Sequence, residues 1–317
     1  METPKTKALG FGCVVWDDIS SGPQAPSAQN IGGTTLNVVV HLNGLGYQST
    51  IFTAVGDDNL GSMTLKTLNG LGLAMDFVKT VPQPTCLVKV SLDSDKNPTF
   101  SGFESGMSFD YIETSNSDIN YIKNGSYNTL FFGTVEQRNG VSRNALTKII
   151  EECTFETIFL DLNLREPFYS AEIIFSSLQK CTVAKMNWEE AVLTNDLLGI
   201  GASSVDEFMS NIATKFLIDS VVITDAANGV YYFDGHETGR TSAFAVDLVD
   251  PVGAGDAFSA GLLHKLAKGE SLDKACEFAC RMGAMICSAV STLPEYRVDQ
   301  LYEFVDKLDL HKKRIWP

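Results

Sequence analysis

Continuously apolar runs alternate along this chain with segments whose apolar residues recur every third or fourth position. The runs predict strands over 8–15, 49–55, 157–162, 182–186 and 219–224; the recurring pattern predicts helices over 34–45, 60–71, 141–151, 204–216 and 254–268. Runs such as Thr157-Ile158-Phe159-Leu160 and Val221-Val222-Ile223-Thr224 lack polar alternation. A strand of that kind is covered on both faces, which points to an α/β fold with a mostly parallel central sheet. Two stretches break the rhythm. Residues 74–105 hold extended segments, among them Cys86-Leu87-Val88-Lys89-Val90-Ser91-Leu92, with prolines at 82, 84 and 98 and no helical period; residues 16–31 read as irregular and polar. Together, from about 16–31 and 84–105, they are expected to form a small β lid on a single domain spanning 1–317.

Composition narrows the function classes. The 317 residues, 44% hydrophobic and 20% charged, suffice for one large domain with a buried core. No apolar run approaches the roughly 20 residues that cross a bilayer, and Met1-Glu2-Thr3-Pro4-Lys5 opens no leader-like stretch, so a cytoplasmic protein without a membrane partner is expected. Cysteines at 13, 86, 153, 181, 276, 280 and 287 form no C-x-x-C pair, which favours buried thiols in a reducing compartment over disulfides or zinc. The balance of 24 basic to 39 acidic residues gives a net charge of −15 and argues against nucleic acid as a partner. A polyanionic substrate would then have to be held locally, by backbone N–H groups, helix N-termini and a metal ion.

The strongest chemical signal is Asp250-Pro251-Val252-Gly253-Ala254-Gly255-Asp256-Ala257-Phe258. Two glycines allow a tight turn, and a helix with an apolar face at Phe258, Leu262, Leu263 and Leu266 follows at once. Such a turn makes an anion hole at a helix N-terminus, with Asp256 beside it to accept a proton from an attacking hydroxyl. An ordinary glycine turn with an acidic first helical turn has the same pattern. Nearer the N-terminus, Ile31-Gly32-Gly33-Thr34-Thr35-Leu36-Asn37-Val38 opens another helix, followed by Gly44-Leu45-Gly46 and Val55-Gly56-Asp57-Asp58-Asn59-Leu60-Gly61. Gly32 and Gly33 let a ligand pack on bare backbone, and Asn37 offers a donor and an acceptor. Asn187-Trp188-Glu189-Glu190 follows a strand and also fits a helix-capping pattern. Gly10-Phe11-Gly12 lacks the third glycine of a dinucleotide fingerprint, no P-loop sequence exists, and His41, His236, His264 and His311 have no metal-ligand spacing.

The 250–258 nonapeptide resembles the D-T-x-G-A-G-D-x-F signature of the ribokinase/PfkB carbohydrate kinases, departing at Pro251 where threonine is usual. The N-terminal run is similar to that family's G-G-x-x-x-N, L-G and V-G-x-D-x-x-G series in order and spacing. The resemblance covers about residues 8–310 and implies a ribokinase-like three-layer sandwich with a small β lid. It implies an ATP-dependent sugar kinase with Asp256 as base and Gly253, Ala254 and Gly255 as the anion hole. Asp17 (with Asp18 as its neighbouring alternative), Gly32, Gly33, Asn37, Phe103 and Arg165, the last in a D-x-N-x-R run, would meet the sugar. Asn187, Thr224, Gly229, Gly253 and Gly255 would meet ATP. Glu190 would act on Mg²⁺ through water, and Asp250 on K⁺. Ala226 replaces a glycine of the nucleotide loop, and Ser291-Thr292 stands where Gly-Ala is frequent. Fructose is the first expected acceptor, with 2-keto-3-deoxygluconate and ribose as alternatives. A phosphosugar would call on Lys89, Lys96 and Arg138; a nucleoside would call on Phe100 and Phe103. A catalytically silent sugar- or nucleotide-binding regulator is the rival from another class. The partners implied are a small sugar and ATP, with a homodimer through the lid.

Overall fold

The computed structural model describes residues 6–20, 28–92, 98–101, 103–308 and 314–317. In chain order its elements are β1 (Lys7–Phe11), β2 (Val15–Ser20), β3 (Ala28–Gly32), α1 (Thr34–Gly44), β4 (Gln48–Gly56), α2 (Asn59–Gly70), β5 (Val78–Val81), β6 (Cys86–Leu92), β7 (Pro98–Ser101), α3 (Asn116–Gly125) and β8 (Thr129–Phe132). There follow α4 (Gly140–Glu152), β9 (Thr157–Asp161), α5 (Ala171–Leu178), β10 (Val183–Asn187), α6 (Trp188–Leu197), α7 (Val205–Phe216), β11 (Ser220–Thr224), β12 (Val230–Phe233), β13 (Thr238–Thr241), α8 (Ala254–Leu266) and α9 (Leu272–Cys287).

The large sheet runs β13-β12-β11-β10-β9-β8-β1-β4-β5. Neighbours from β5 across to β11 are parallel, and β12 and β13 complete the far edge antiparallel. The chain leaves β1 in one direction through β4 and β5, then resumes on its other side with β8 and β9. That reversal beside β1 is the switch point at which open α/β sheets bind ligands, beyond the carboxyl ends of the strands.

The continuously apolar strands have the expected cause. Phe159 and Val222 enter a core with Val38 and Leu42 of α1, Phe258 and Leu262 of α8, and Ala275 and Ala279 of α9. Their neighbours Leu160, Val221 and Ile223 enter the opposite core with Leu146 of α4, Ile174 of α5, Ala191 of α6 and Phe208 of α7. Each large side chain buried in this way stabilises the sandwich by about 1.5–3 kcal/mol. No helix among the described residues is long and apolar enough to cross a membrane.

Two expectations need correction. The predicted strand 8–15 is two strands in two sheets, because the chain bends out of the large sheet at Gly12. A β-carbon there would overlap Thr35 Oγ1 and come 2.7 Å from Glu136 Oε1, so only a glycine lets α1 and the 135–138 turn close on the end of β1. Residues 16–31 are not irregular throughout: β2 pairs antiparallel with β3 and parallel with β6, in a small sheet ordered β3-β2-β6-β7. Residues 21–27 of that stretch, and Lys96 with residues 93–97, lie outside the described residues. The extended stretch that begins near 74 also divides, since β5 joins the edge of the large sheet against β4.

Candidate active site

Helix α8 starts on bare backbone. Its N-cap is Gly253, left-handed at φ 82, and no side chain caps the first turn. A β-carbon on Gly253 would sit 2.9 Å from Thr292 Cβ, so Thr292 closes the back of this turn. Asp256 lies in the first turn of α8, and its Oδ2 accepts a 2.7 Å hydrogen bond from Asn37 Nδ2. Burial pushes the Asp256 pKa up; the Asn37 bond opposes this, Asp161 reinforces it, and Lys185 and Arg165 pull it back. Asn37 is buried on α1, and its Oδ1 has no hydrogen-bond partner among the described residues. Helix α1 is itself capped by Gly33 at φ 110, where a β-carbon would lie 2.7 Å from the Cys13 carbonyl oxygen.

A buried charge network lies beneath this turn. Lys185 Nζ bonds both oxygens of Asp161, at 3.1 and 2.9 Å, and Ser259 Oγ donates to Asp161 Oδ2 at 2.9 Å. Burial disfavours the Lys185 charge, but Asp161, Glu190 and Asp256 outweigh it and hold the pKa above its ordinary value. A β-carbon on Gly255 would be 3.3 Å from Lys185 Nζ, which puts the ammonium directly behind the glycine turn. Glu190 Oε1 accepts from Leu164 N and Oε2 from Asn187 N, each at 2.8 Å. Glu190 thus completes a capping box with Asn187 and holds the loop that carries Arg165. Arg165 is exposed, and its Nη1 donates to the Leu164 carbonyl at 3.0 Å. Asn163, at φ 41, reaches Thr34 Oγ1 at the start of α1.

At the small-sheet end, Asp17 lies on β2 opposite Asn30 of β3, and a β-carbon on Gly32 would be 3.3 Å from Asp17 Oδ2. Burial raises the Asp17 pKa. Strand alternation puts Asp18 on the other face, with Trp16, whose Nε1 bonds Thr64 of α2. Phe103 stacks on Phe109 and meets Phe168 edge-on, and all three rings pack against the Arg138 guanidinium. Arg138 is held by both oxygens of Asp110 and donates to the Glu104 carbonyl.

The other end is less enclosed. Asn187 is exposed, and Thr224 Oγ1 lies 3.5 Å from the Met186 carbonyl oxygen, so the ends of β10 and β11 are tied together. Ala226 keeps a positive φ of 45, the backbone conformation that a glycine would adopt freely. Gly229 packs on β13, where a β-carbon would overlap the Thr241 carbonyl oxygen. Asp250 Oδ1 accepts from Val252 N at 2.9 Å, and the Thr292 carbonyl oxygen lies 3.1 Å from His41 Nε2. Among the described residues there is no group of three or more His, Cys, Asp or Glu side chains that could hold a metal.

The hydrogen bonds therefore form two groups, Asn37 with Asp256 and Lys185 and Ser259 with Asp161, which act on each other through charge, while Phe103 and Gly229 are engaged with their own neighbours. Lys185 carries a visible sequence signal, a lysine inside the apolar run Val183-Ala184-Lys185-Met186, whereas Ser259 carries none.

Residues 23–296 match the family described as pfkB family carbohydrate kinase. The chain is similar to a probable chloroplastic fructokinase-6 of Arabidopsis thaliana, at 26% identity over 83% of this chain and 71% of that protein. It is also similar to an ATP-dependent 6-phosphofructokinase of Thermoanaerobacterium thermosaccharolyticum, at 27% identity over 80% of this chain and 77% of the relative. A fructokinase from Vibrio cholerae O395, crystallised with fructose, ADP and calcium, superposes with a TM-score of 0.77 at 24% identity, covering 95% of this chain and 99% of that one.

Proposed function

The chain belongs to the pfkB family of carbohydrate kinases, and on that premise we propose that it transfers the γ-phosphoryl group of ATP to a hydroxyl of fructose. The observation that carries the reading is the 2.7 Å bond between Asn37 and Asp256 at the uncapped start of α8. It joins a sugar-side amide and a proton acceptor at a helix start that no side chain caps, where Ala254 N donates to the Pro251 carbonyl at 3.2 Å. In this reading the acceptor hydroxyl lies against Asp256, which takes its proton as the oxygen attacks phosphorus. The raised pKa makes that carboxylate a better base than a surface aspartate. The N–H groups of Gly253 and Gly255 would receive the phosphoryl oxygens, with the Lys185 charge behind them.

Asp17 and Asn37 would hold sugar hydroxyls, and Arg165 would reach the phosphoryl group from its exposed loop. Asn187, Thr224 and Gly229 would border the nucleotide. We read the small sheet as the lid that excludes water, with Phe103 at its root.

Magnesium fits as an ion brought by the nucleotide. Glu190 is committed to two backbone N–H groups and suits a metal-bound water rather than direct ligation, as an ion that keeps its hydration shell permits. When bound, the ion would neutralise charge on the phosphates. Potassium at Asp250 has less support, because Oδ1 already closes its own turn.

Fructose is favoured over a phosphorylated sugar because Arg138 gives Nε and Nη2 to Asp110 and Glu104 and packs against three phenylalanine rings, which leaves only its Nη1 without a partner among the described residues. The test is ADP release over a panel of fructose, ribose, 2-keto-3-deoxygluconate, adenosine and fructose 6-phosphate with MgATP. Fructose should give the highest kcat/KM. Preference for another member replaces the acceptor, and release with none of them removes the kinase reading in favour of a silent binder.

A further inference from the structure

Residues 314–317 lie far in sequence from the loops they touch. Arg314 Nη1 bonds Asp225 Oδ1 at 2.8 Å, and its Nη2 bonds Glu189 Oε1 at 2.7 Å. Its guanidinium also lies over the Trp188 ring, 5.1 Å from the centroid. Trp316 packs edge-on against Trp188 and tilted against Phe208, while its Nε1 donates to the Ala202 carbonyl at 3.0 Å. One short segment thus fastens the first turn of α6, directly after β10, to the residue that follows β11.

Asp225 is the sensitive partner. Its side chain is only 3% exposed, against 68% for Glu189, so Arg314 supplies a cation to a buried carboxylate. Asp225 also organises its own turn: Oδ2 accepts from Asn228 Nδ2 at 3.1 Å, and its N–H donates to the Gly229 carbonyl at 2.8 Å. Inside that turn Ala226 sits at φ 45, an unfavourable conformation for a residue with a β-carbon that persists only when its surroundings enforce it.

We propose that Arg314 is a positioning residue for the nucleotide: by locking Asp225 to Glu189 it holds the 224–229 turn and the Asn187 turn as one rigid platform for the phosphates. Trp316 anchors the segment that delivers it. The inference rests on the reading of 224–229 as the nucleotide-side loop. It assigns Arg314 no contact with the reacting atoms.

Calorimetric titration with MgADP reads the effect without any acceptor sugar. Arg314→Gln should raise the nucleotide dissociation constant by about fivefold or more, the lower range of couplings carried by a positioning contact. Arg314→Lys should recover part of the loss, and KM for the sugar should stay within about twofold of wild type. An unchanged dissociation constant in Arg314→Gln overturns the inference. So does a loss of nucleotide and sugar affinity in step with a lowered melting temperature, which is the outcome for a merely structural strap. Should Arg314→Gln fail to fold, Glu189→Gln removes only the exposed arm, and affinity equal to wild type there overturns the inference as well. If the wild type itself binds no MgADP, the kinase reading falls first and takes this inference with it.

Discussion

At Asp256 one carboxylate meets opposing demands. Burial and the Asp161 charge favour its protonated form, while Asn37 steadies the ionised form through a single 2.7 Å bond. Asp256→Asn keeps the shape and the amide contact but removes the base. We expect kcat to fall by about 10²–10⁴-fold with nucleotide binding little changed, measured by ADP release and MgADP titration. Turnover within a few-fold of wild type would discard Asp256 as the base. His264 makes a second point at this scale. It is buried against Tyr47 and Phe278, its Nδ1 has no partner among the described residues, and burial, with Lys268 and Lys265 adding, lowers its pKa to about 4 from 6.5. Between those two values the unfolded chain binds the proton and the folded one does not. Stability is therefore complete above about 6.5 and is lost as pH falls towards 4. His264→Leu should unfold no more easily than wild type at pH 7 and should lose less on going to pH 4.5, as urea midpoints across that range would reveal.

Helices and strands here are joined by a few charged contacts as well as by apolar faces. Asp58 illustrates this within the V-G-x-D-x-x-G run: it caps α2 through Gly61 N at 2.6 Å and holds Thr85 N at 2.8 Å, just before β6. The run therefore secures the root of the small sheet. The Asp161–Lys185 pair does the same for β9, β10 and α8, with Ser259 as the third member. Both partners are buried, so removing one leaves an uncompensated charge in the interior. Lys185→Met should lower stability by about 3–5 kcal/mol. Lys185→Met with Asp161→Leu should regain most of that in urea unfolding yet remain inactive. Recovered activity in the double variant would show the network to be scaffolding alone.

For the molecule as a whole, the net charge of −15 opposes the approach of a polyanionic nucleotide, while Lys185 and Arg165 provide a local attraction. Raising sodium chloride from 10 to 150 mM shortens the screening length from about 30 Å to about 8 Å. That weakens the long-range repulsion more than contacts inside the site. The KM for ATP should fall over this range while that for a neutral sugar stays level. A rise in the ATP KM would mean that the local cations dominate instead.

The amino-acid sequence determined the layered α/β plan and the chemistry of its turns, because both depend on short-range properties. Apolar runs identify doubly covered strands, and Gly253 and Gly255 at the start of α8 mark an N-terminus that no side chain caps. The sequence did not reveal β2, where Asp17 and Asp18 stand side by side in a small sheet that lacks a strong apolar period. Nor did it separate β1 from β2, because the bend at Gly12 answers to Thr35 and Glu136. Only the tertiary structure decided that Asn37 would reach Asp256, 219 residues away, that Lys185 would face Asp161, and that Arg314 would close on Asp225. Those contacts follow from which strands pair and which helix covers them. That choice is made by burial summed over the whole chain, and no local window of residues contains it.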